Sequence, residues 1–406
     1  MSISFLKKYF ATPAAPPQKE GKSTVRALPA SWYNSMDIYQ LERRAIFSKK
    51  WLTTTHKIRI PNAGDWVKHE VANFEFIVMR DAQDRIQAFH NVCTQSGLPI
   101  VTEDLGNAFD FTCECHNISY TPSGKIIPDT AEGLLGIHVH VDRNGFVWIN
   151  MDAGEEPEIA WEDDFKGIDE QPRYEHYNFN DYTFDHTWEM IGDYNWKALA
   201  DNYNECYHCQ VAHPDIPTIA DLSTYYVTTD SSYIQHFGNP TPEQIAKGFR
   251  VAPTYYWPNA STNVSPHFFF IQKFLPRGPT KSIMRYEVYR SKNTTDADFT
   301  IINDMYKRIM SEDKVLCAKA QKNLNAGVFV NGEMHPEMEK GPLFFQKRVR
   351  ENLQIHSKME QAAGKIISPA QRKLPQAPAA ASESCQQEAD ESKQSGVATQ
   401  AMGITA

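Results

Sequence analysis

The sequence predicts an α+β protein in which a small all-β region precedes a larger region of mixed strands and helices. Residues 52–151 contain short runs rich in β-branched and aromatic residues, separated by turn-prone stretches such as DAQD and DRNG. Further along, two apolar runs suit strands, and residues 299–324 and 344–361 have apolar residues at helical spacing. The chain of 406 residues is long enough for two domains or one large one.

The bulk composition predicts a globular protein and excludes several classes of partner. A hydrophobic content of 41% and an aromatic content of 12% support a substantial buried core. The formal net charge is −9 and the basic residues are scattered, so nucleic acid is not an expected partner. No apolar run reaches the length of a membrane span, and no signal-peptide core follows the first methionine. We expect no membrane partner and a cytoplasmic location, with a mitochondrial location as the alternative because Lys7 and Lys8 precede any acidic residue.

Both ends of the chain are expected to lie outside the folded part. Residues 1–28 are rich in Pro and Ala and predict a disordered leader. Residues 369–406 are rich in Ala, Gln and Ser and predict a disordered tail. Between them, apolar residues at helical spacing over residues 36–51 predict an amphipathic helix within the segment 29–51.

The strands of the two regions are bounded by turn signals. In the all-β region the expected strands are WVKHEV, FEFIVMR, RIQAFHNV, GIHVHV and GFVWINM. The acidic and aromatic stretch 161–186 then links the two regions. Beyond it, TYYWPNASTNVSPHFFFIQKFLP and SIMRYEVYRS suit the strands of a larger sheet, and the two helical stretches complete the fold.

Residues 195–214, NWKALADNYNECYHCQVAHP, concentrate groups that bind metals, and we call them the metal segment. On a helix, Asn202, Glu205 and His208 follow one another at i, i+3 and i+6 and share a face. The proline after His213 biases that residue away from helical angles, which lets the second imidazole turn back toward the first. Two imidazoles and a carboxylate are the ligands of non-haem Fe(II) oxygenases. The alternative is a core helix whose histidines only satisfy hydrogen bonds, and the spacing alone does not decide.

Two cysteine loops lie in turn regions of the all-β part. The first reads CTQ from Cys93, and the second reads CECH from Cys113, after a gap of 17 residues. Seven cysteines, an odd number, predict thiols or metal ligands rather than a disulfide framework. A Rieske cluster takes two Cys on one iron and two His on the other. The second loop offers Cys113 and His116, but Gln95 stands where the first loop needs a histidine, so a zinc site or buried thiols remain alternatives.

Six stretches of the chain together resemble the α subunits of Rieske-type ring-hydroxylating oxygenases, and within that family the choline monooxygenase and carnitine oxygenase branch. They are AFHNVCTQSGLPIVTED, FTCECHNISYTPSGKI, GFVWINMD, NWKALADNYNECYHCQVAHP, MSEDKVLCAKAQKNLNAG and NGEMHPEMEKGPLFFQ. They follow the family order across residues 30–360. The resemblance implies a Rieske-like [2Fe-2S] domain over 52–151 and a helix-grip (START-like) mononuclear iron domain over 152–368. The helix of segment 29–51 is expected to pack on this catalytic domain.

The resemblance also implies roles for individual residues. His208, His213 and Asp313 match the three iron ligands by motif position. Glu205 matches the acidic residue that bridges the cluster of one subunit to the iron of its neighbour, which implies a homotrimer. Asn202 is a candidate to support the catalytic site, and a hydrogen bond on the helix surface is its equally expected alternative.

The cluster ligands match the family only in part. Cys93, Cys113 and His116 match three of the four ligands, and the amide of Gln95 is a poor replacement for the fourth. Cys115 is a candidate replacement, although it is adjacent to His116 and the two side chains would tend to point apart. The alternatives are that these groups hold zinc or that the site is empty, and we expect a lost or altered cluster rather than a normal one.

The expected activity is hydroxylation of a small molecule with O2, using two electrons from NAD(P)H through a separate reductase. The substrate is expected to be a choline-like quaternary amine or a secondary-metabolite intermediate. A quaternary ammonium group is bound by aromatic rings, which Tyr255, Tyr256, Trp257 and Phe269 would supply, unless these residues form the core. Two alternatives remain: a cluster-less metal-dependent lyase, isomerase or hydrolase, and a silent subunit of an active paralogue.

Overall fold

The computed structural model describes residues 25–113, 118–121, 126–127, 133–240, 242–246 and 250–372. Its described residues up to Ala370 form one compact unit. Within these ranges no helix is both long enough and apolar enough to cross a membrane. Most of the expected leader (1–28) and tail (369–406) lies outside the described residues.

The first region of the chain is all-β, as expected. Its strands are β1 (Leu52–His56), β2 (Asp65–Val71), β3 (Phe74–Arg80), β4 (Ile86–His90), β5 (Leu105–Asn107), β6 (Phe111–Cys113), β7 (Ile118–Tyr120), β8 (Ile126–Ile127), β9 (Gly136–Val141) and β10 (Phe146–Asn150). Seven of them form an antiparallel sheet in the order β1-β10-β9-β4-β3-β2-β5, and β6-β7-β8 form a separate small sheet. All five strands expected here from the sequence are confirmed.

The second region contains a larger antiparallel sheet. Its strands are β11 (Tyr182–Gly192), β12 (Asp221–Asp230), β13 (Tyr233–Asn239), β14 (Ala252–Tyr256), β15 (Ala260–Val264), β16 (Phe268–Pro276) and β17 (Ser282–Ser291). They lie in the order β11-β17-β16-β15-β14-β13-β12. The expected link 161–186 therefore ends earlier than expected, because β11 begins at Tyr182 and pairs with β17 along its whole length.

The helices flank the second sheet. They are α1 (Met36–Glu42), α2 (Trp161–Phe165), α3 (Trp196–Tyr203), α4 (Cys209–Ala212), α5 (Ile216–Ile219), α6 (Pro242–Ala246), α7 (Asp296–Asn325) and α8 (Lys340–Ala363). The two long helices expected from the sequence are confirmed, each a few residues longer. The expected helix over 36–51 is shorter, because a π-helical turn over Arg43–Phe47 ends it.

The last residues of the expected leader belong to the fold. Leu28 is buried, and its backbone N–H donates to Gln346 Oε1 at 2.8 Å on α8. Arg26 pairs in a β-bridge with Glu333. The boundary at residue 28 is therefore a few residues too late. The other domain boundaries, 52–151 and 152–368, contain all the strands of their respective regions but stay predictions.

Helix α3, which begins the metal segment, is fixed to α1 by a buried ion pair. Lys197 Nζ donates to Glu42 Oε1 at 2.5 Å, and Trp196 Nε1 donates to Glu42 Oε2 at 2.9 Å. Lys197 and Glu42 are both fully buried. Because an unpaired buried charge is costly, this pairing ties α3 to α1 in one arrangement. The metal segment therefore begins on a helix whose position is fixed.

Candidate metal centre and adjoining cavity

The metal segment is not one helix. Helix α3 ends at Tyr203, Asn204 closes it with a side-chain bond to Ala200 O at 2.8 Å, and α4 begins only at Cys209. The expectation that Asn202 and His208 share one helical face is therefore wrong. Helix α8 packs closely against this break, since a Cβ on Gly341 would lie 2.0 Å from Asn204 O.

The segment nevertheless brings the three expected ligands together. His208 Nε2 lies 3.1 Å from His213 Nε2 and 3.3 Å from Asp313 Oδ1 on α7. His213 Nε2 lies 3.0 Å from the same oxygen. His213 has an extended backbone, as the following proline predicted. Two loop-borne imidazoles and one helix-borne carboxylate therefore converge on a single point.

Each imidazole is held from behind by an acid. His208 Nδ1 is paired with Glu205 Oε1, and His213 Nδ1 lies 2.8 Å from Glu312 Oε2. Such partners fix the orientation of a metal-binding imidazole and leave Nε2 for the ion. The sequence pattern did not indicate Glu312, whose only signal is its position next to Asp313. Asn202 Nδ2 lies 3.1 Å from His208 Nε2, so Asn202 contacts the candidate centre. Its supporting role stays a prediction.

The three ligand atoms fit a mononuclear divalent iron. An ion about 2.1 Å from each of three ligands at right angles would set them about 3.0 Å apart, close to the separations seen. Asp313 Oδ1 is buried, and among the described residues only the two facing imidazoles lie within reach of it, as suits an oxygen that binds an ion together with them. Burial acts to raise the pKa of Asp313, but the facing imidazoles His208 and His213 lower it below its usual value. The carboxylate is thus ready to act as a ligand.

Two cysteines of the metal segment are joined. Cys206 and Cys209 form a disulfide across a separation of three residues, on either side of His208. The expectation of thiols or metal ligands throughout is therefore wrong at this pair. Cys209 lies with His208 and His213 in a group whose potential ligand atoms are within 4.8 Å. In the disulfide Cys209 has no thiolate to offer, which leaves Asp313 Oδ1 as the better-placed third ligand atom among the described residues.

A cavity of about 170 Å³ opens beside the metal centre. Three tyrosines line it: Tyr203, Tyr225 and Tyr306. The rest of the lining is apolar apart from the metal centre, Asn202, Glu205 and two further polar side chains, His236 on β13 and Asn263 on β15. Because a dry cavity of about 150 Å³ is known to take benzene, the space suits a molecule of that size.

The four aromatic residues expected at the substrate site do not line this cavity. Tyr255 and Trp257 are fully buried in the core beneath α3, and the Tyr255 hydroxyl donates to Pro258 O. Tyr256 and Phe269 lie in a second core on the other face of the sheet, where Phe269 stacks on a tyrosine at 4.4 Å. The alternation of side chains along a strand turns Tyr256 and Phe269 to the face opposite the cavity, whereas Tyr255 and Trp257 are covered by other core residues. All four aromatic residues therefore belong to the core, which was the alternative to a substrate-binding role.

The cluster loops (93–95 and 113–116) are complete only on the sulfur side. Cys93 and Cys113 are buried free thiols, not joined in a disulfide, and they lie in one small core. Burial opposes ionisation of Cys93, but hydrogen bonds from Ser96 and Tyr120 outweigh it and lower the pKa to about 6. Gln95 is exposed. His116 and Cys115 lie outside the described residues.

The two thiols fit the sulfur ligands of a [2Fe-2S] cluster. The nitrogen side does not fit in the first loop, since an exposed glutamine amide replaces an imidazole. The first cluster loop therefore lacks the imidazole that a normal Rieske centre requires.

Comparison with known proteins supports the division of the chain into a first, Rieske-like region and a second, catalytic region. Residues 50–136 match the family described as Rieske [2Fe-2S] domain, and residues 179–355 match the ring hydroxylating alpha subunit (catalytic domain). These two domains imply an iron–sulfur cluster and a mononuclear iron.

Individual relatives point to one branch. The carnitine monooxygenase oxygenase subunit of Escherichia coli is 24% identical over 74% of this chain and 84% of its own length. The chloroplastic choline monooxygenase of Atriplex hortensis is 27% identical over 77% of this chain and 75% of its own. The structure of a quaternary ammonium Rieske monooxygenase with L-carnitine superposes with a TM-score of 0.71 at 23% identity, covering 81% of this chain and 96% of that one. At this identity the structural likeness shows the fold.

Proposed function

We propose that this chain, which belongs to the Rieske-type ring-hydroxylating oxygenase α-subunit family, hydroxylates a choline-like quaternary amine with O2 at a mononuclear iron. The family membership makes it an oxidoreductase that acts with O2 on a small molecule. The observation that carries the proposal is the convergence of His208, His213 and Asp313 beside a cavity of about 170 Å³. Iron bound there supplies the activation of O2.

The chain's own residues orient the reaction. Glu205 and Glu312 hold the two imidazoles by their Nδ1 atoms, so that both Nε2 atoms face the same point. Ile309 and Met310 add apolar surface to the cavity wall. A substrate seated against this wall would displace water from the centre, which strengthens each electrostatic contact with the substrate and protects reactive species from side reactions.

The substrate proposal rests on the relatives and on the cavity. The relatives act on carnitine and choline, as their names state. Tyr203, Tyr225 and Tyr306 bring aromatic rings to the cavity, and such rings attract quaternary ammonium groups. A secondary-metabolite intermediate of similar size is the alternative substrate.

The electrons are proposed to come from NAD(P)H through a separate reductase, and the protein is proposed to be a cytoplasmic homotrimer. Glu205 lies at the cavity mouth next to exposed apolar side chains, with Tyr207 exposed by 67% and Val211 by 90%. A neighbouring subunit that covers these side chains would bring its cluster loops close to Glu205. The trimer is checked by the mass of the protein in solution.

A second function, a non-redox reaction at the same metal, is favoured by Gln95. A glutamine in place of a cluster ligand removes the usual electron supply. The silent-subunit alternative is disfavoured, because a subunit without activity has no need of three converging ligands.

Dependence on O2 separates these functions. Anaerobic Fe(II)-loaded protein, reduced with dithionite and freed of excess reductant, is mixed with choline in the presence or absence of O2, and the product is analysed by mass spectrometry. The proposal expects an oxidised product only when O2 is present, and none from the His213→Ala variant. An iron-dependent product that forms without O2 would instead support the non-redox function, and no product from any quaternary amine would contradict the proposed substrate.

A further inference from the structure

Two polar atoms of the cavity lining have no partner in the protein. His236 Nε2 and Asn263 Oδ1 are both buried and make no hydrogen bond with any described residue. Both residues line the cavity beside the metal centre, and each is only 7% exposed. A buried polar atom without a partner costs about 1–3 kcal/mol, so a fold tolerates it best where something else supplies the missing bond.

The two side chains lie on the same face of the sheet. In the antiparallel register of β13 and β14, Gln235 faces Thr254, which places His236 opposite Pro253. Pro253 in turn faces Asn263 on β15. Residues that face one another across strands project to the same side. His236 and Asn263 therefore stand on one face two strands apart, with their backbones about 10 Å from each other, and both side chains line the same cavity.

His236 can make one further hydrogen bond. Burial, helped by the nearby Arg173, lowers its pKa to about 3, so the imidazole is neutral and carries a single proton. Its Nδ1 lies 2.8 Å from the Tyr225 hydroxyl. When Tyr225 donates to Nδ1, the proton resides on Nε2, which then offers a donor to the cavity.

Asn263 offers the complementary group. Its Nδ2 donates to the Tyr306 hydroxyl at 2.6 Å, which assigns the amide orientation and leaves Oδ1 as an acceptor. The lining thus presents one donor and one acceptor, both uncharged. A hydroxyl group can satisfy both kinds of atom, since it accepts one hydrogen bond and donates another.

We propose that His236 and Asn263 form a polar subsite that selects a substrate with a hydroxyl group over one with a carboxylate or an apolar end. The inference rests on the proposed function and refines its substrate class to amino alcohols. A carboxylate has no proton to give Asn263 Oδ1, and no Lys or Arg occurs among the described residues of the lining to neutralise it. An apolar end leaves both atoms unpartnered.

The test measures binding and does not depend on turnover. Isothermal titration of the anaerobic, full-length holoprotein uses three probes that share a trimethylammonium group: choline, glycine betaine and n-propyltrimethylammonium. We expect choline to bind at least about tenfold more tightly than either of the others, which corresponds to one good hydrogen bond.

Two substitutions at His236 isolate the proposed contact. His236→Asn keeps a polar group near the Nδ1 position, where Tyr225 binds, but removes the one at Nε2, so the preference for choline should fall to about twofold or less. His236→Gln places an amide near the Nε2 position and should retain part of the preference. Retention in the Gln variant and loss in the Asn variant would not follow from a merely structural role.

A matched control addresses Asn263. Asn263→Leu should abolish the preference for choline. Asn259 is also a buried asparagine with an unpartnered Oδ1 and a bonded Nδ2, but it does not line the cavity. Asn259→Leu should destabilise the protein without changing the order of the three probes.

The outcomes separate this inference from the proposed function. Equal binding of choline and n-propyltrimethylammonium by the wild-type protein, or tighter binding of glycine betaine, would overturn the subsite and leave the oxygenase proposal intact. A choline preference that survives in both His236→Asn and Asn263→Leu would also overturn it. If none of the three probes binds, the quaternary-amine substrate itself is wrong, and the subsite falls with it.

Discussion

The metal segment and the cluster loops are the two metal-binding regions of one chain, and they differ in how completely their ligands are supported. In the metal segment, His208 and His213 each have an acidic partner behind the ring. In the cluster loops the sulfur ligands are buried, but the nitrogen position of the first loop is an exposed Gln95. Membership of a family thus predicts both sites, whereas only the residues of each site indicate whether it is retained.

The largest expected effect comes from removing an iron ligand. His213→Ala should lower bound iron by about one atom per chain and activity by more than about 100-fold, since even the partners behind metal ligands contribute 10–100-fold. Acid-labile sulfide should not change. Iron analysis and product formation measure the two effects, with His186→Ala on β11 as a control histidine away from the centre. A variant that kept its iron would show that the convergence of the three ligands has another purpose.

The anchor of the metal segment provides the next test. Glu42→Ala leaves Lys197 charged and buried without a partner, which should cost about 3–5 kcal/mol of the free energy of unfolding. Replacing both residues, as in Glu42→Leu with Lys197→Met, should cost clearly less because no charge is left behind. Urea denaturation measures the three proteins. Equal losses for the single and double variants would mean that packing, and not charge, fixes α3 to α1.

Acid should weaken the contact between α8, which packs against the metal segment at Asn204, and the π-helical turn Arg43–Phe47. Burial opposes ionisation of Glu360, but His356 and Arg44 outweigh it and hold its pKa at about 2. The usual pKa is 4.5, so its stabilisation is complete above about pH 4.5 and is lost as the pH falls toward 2.

The Glu360 effect amounts to about 3 kcal/mol at neutral pH. Glu360→Gln should therefore be less stable than the wild type at pH 7, and the difference should shrink toward pH 3. Unfolding curves across this pH range measure it. A difference that is constant with pH would contradict the assigned charge interaction.

A smaller effect is expected from the acid behind His213. Glu312→Gln keeps the shape of the side chain but weakens its hold on Nδ1, so iron affinity should fall about 10–100-fold. Competition with a chelator measures the affinity. Lys319→Gln, at an exposed position further along α7, serves as a surface control. If iron affinity stayed the same, the contact at 2.8 Å would be incidental.

The sequence predicted which side chains converge at the candidate centre better than it predicted their local structure. The metal segment contains no glycine before His213 that would signal the break after Tyr203, so a continuous helix was the natural expectation. The break depends on α8, whose Gly341 packs against Asn204 from far along the chain. The predicted convergence of His208 and His213 does not depend on a continuous helix, because each imidazole is held by its own acid.

Some strands, like the break in the metal segment, were not signalled by the sequence. In the larger sheet, runs of β-branched and aromatic residues identified β14, β15, β16 and β17 but not β11, β12 or β13. Strand β12 has the polar sequence DLSTYYVTTD and lies at the edge of the sheet. The cavity residues were missed for a related reason. Which residues of β13 and β15 face the cavity depends on strand register, which places His236 and Asn263 there and turns Tyr256 and Phe269 into the core.

The most direct test of the difference between the two regions is the iron and acid-labile sulfide content of anaerobically purified wild-type protein, with the EPR spectrum after dithionite reduction. We predict a mononuclear iron together with a lost or altered cluster, seen as fewer than two sulfides per chain or a reduced signal unlike that of a two-Cys, two-His centre. Gln95→His should shift both values toward the normal centre. Two sulfides, about three irons and a normal Rieske signal in the wild-type protein would contradict the account, because the cluster loops would then be as complete as the metal segment.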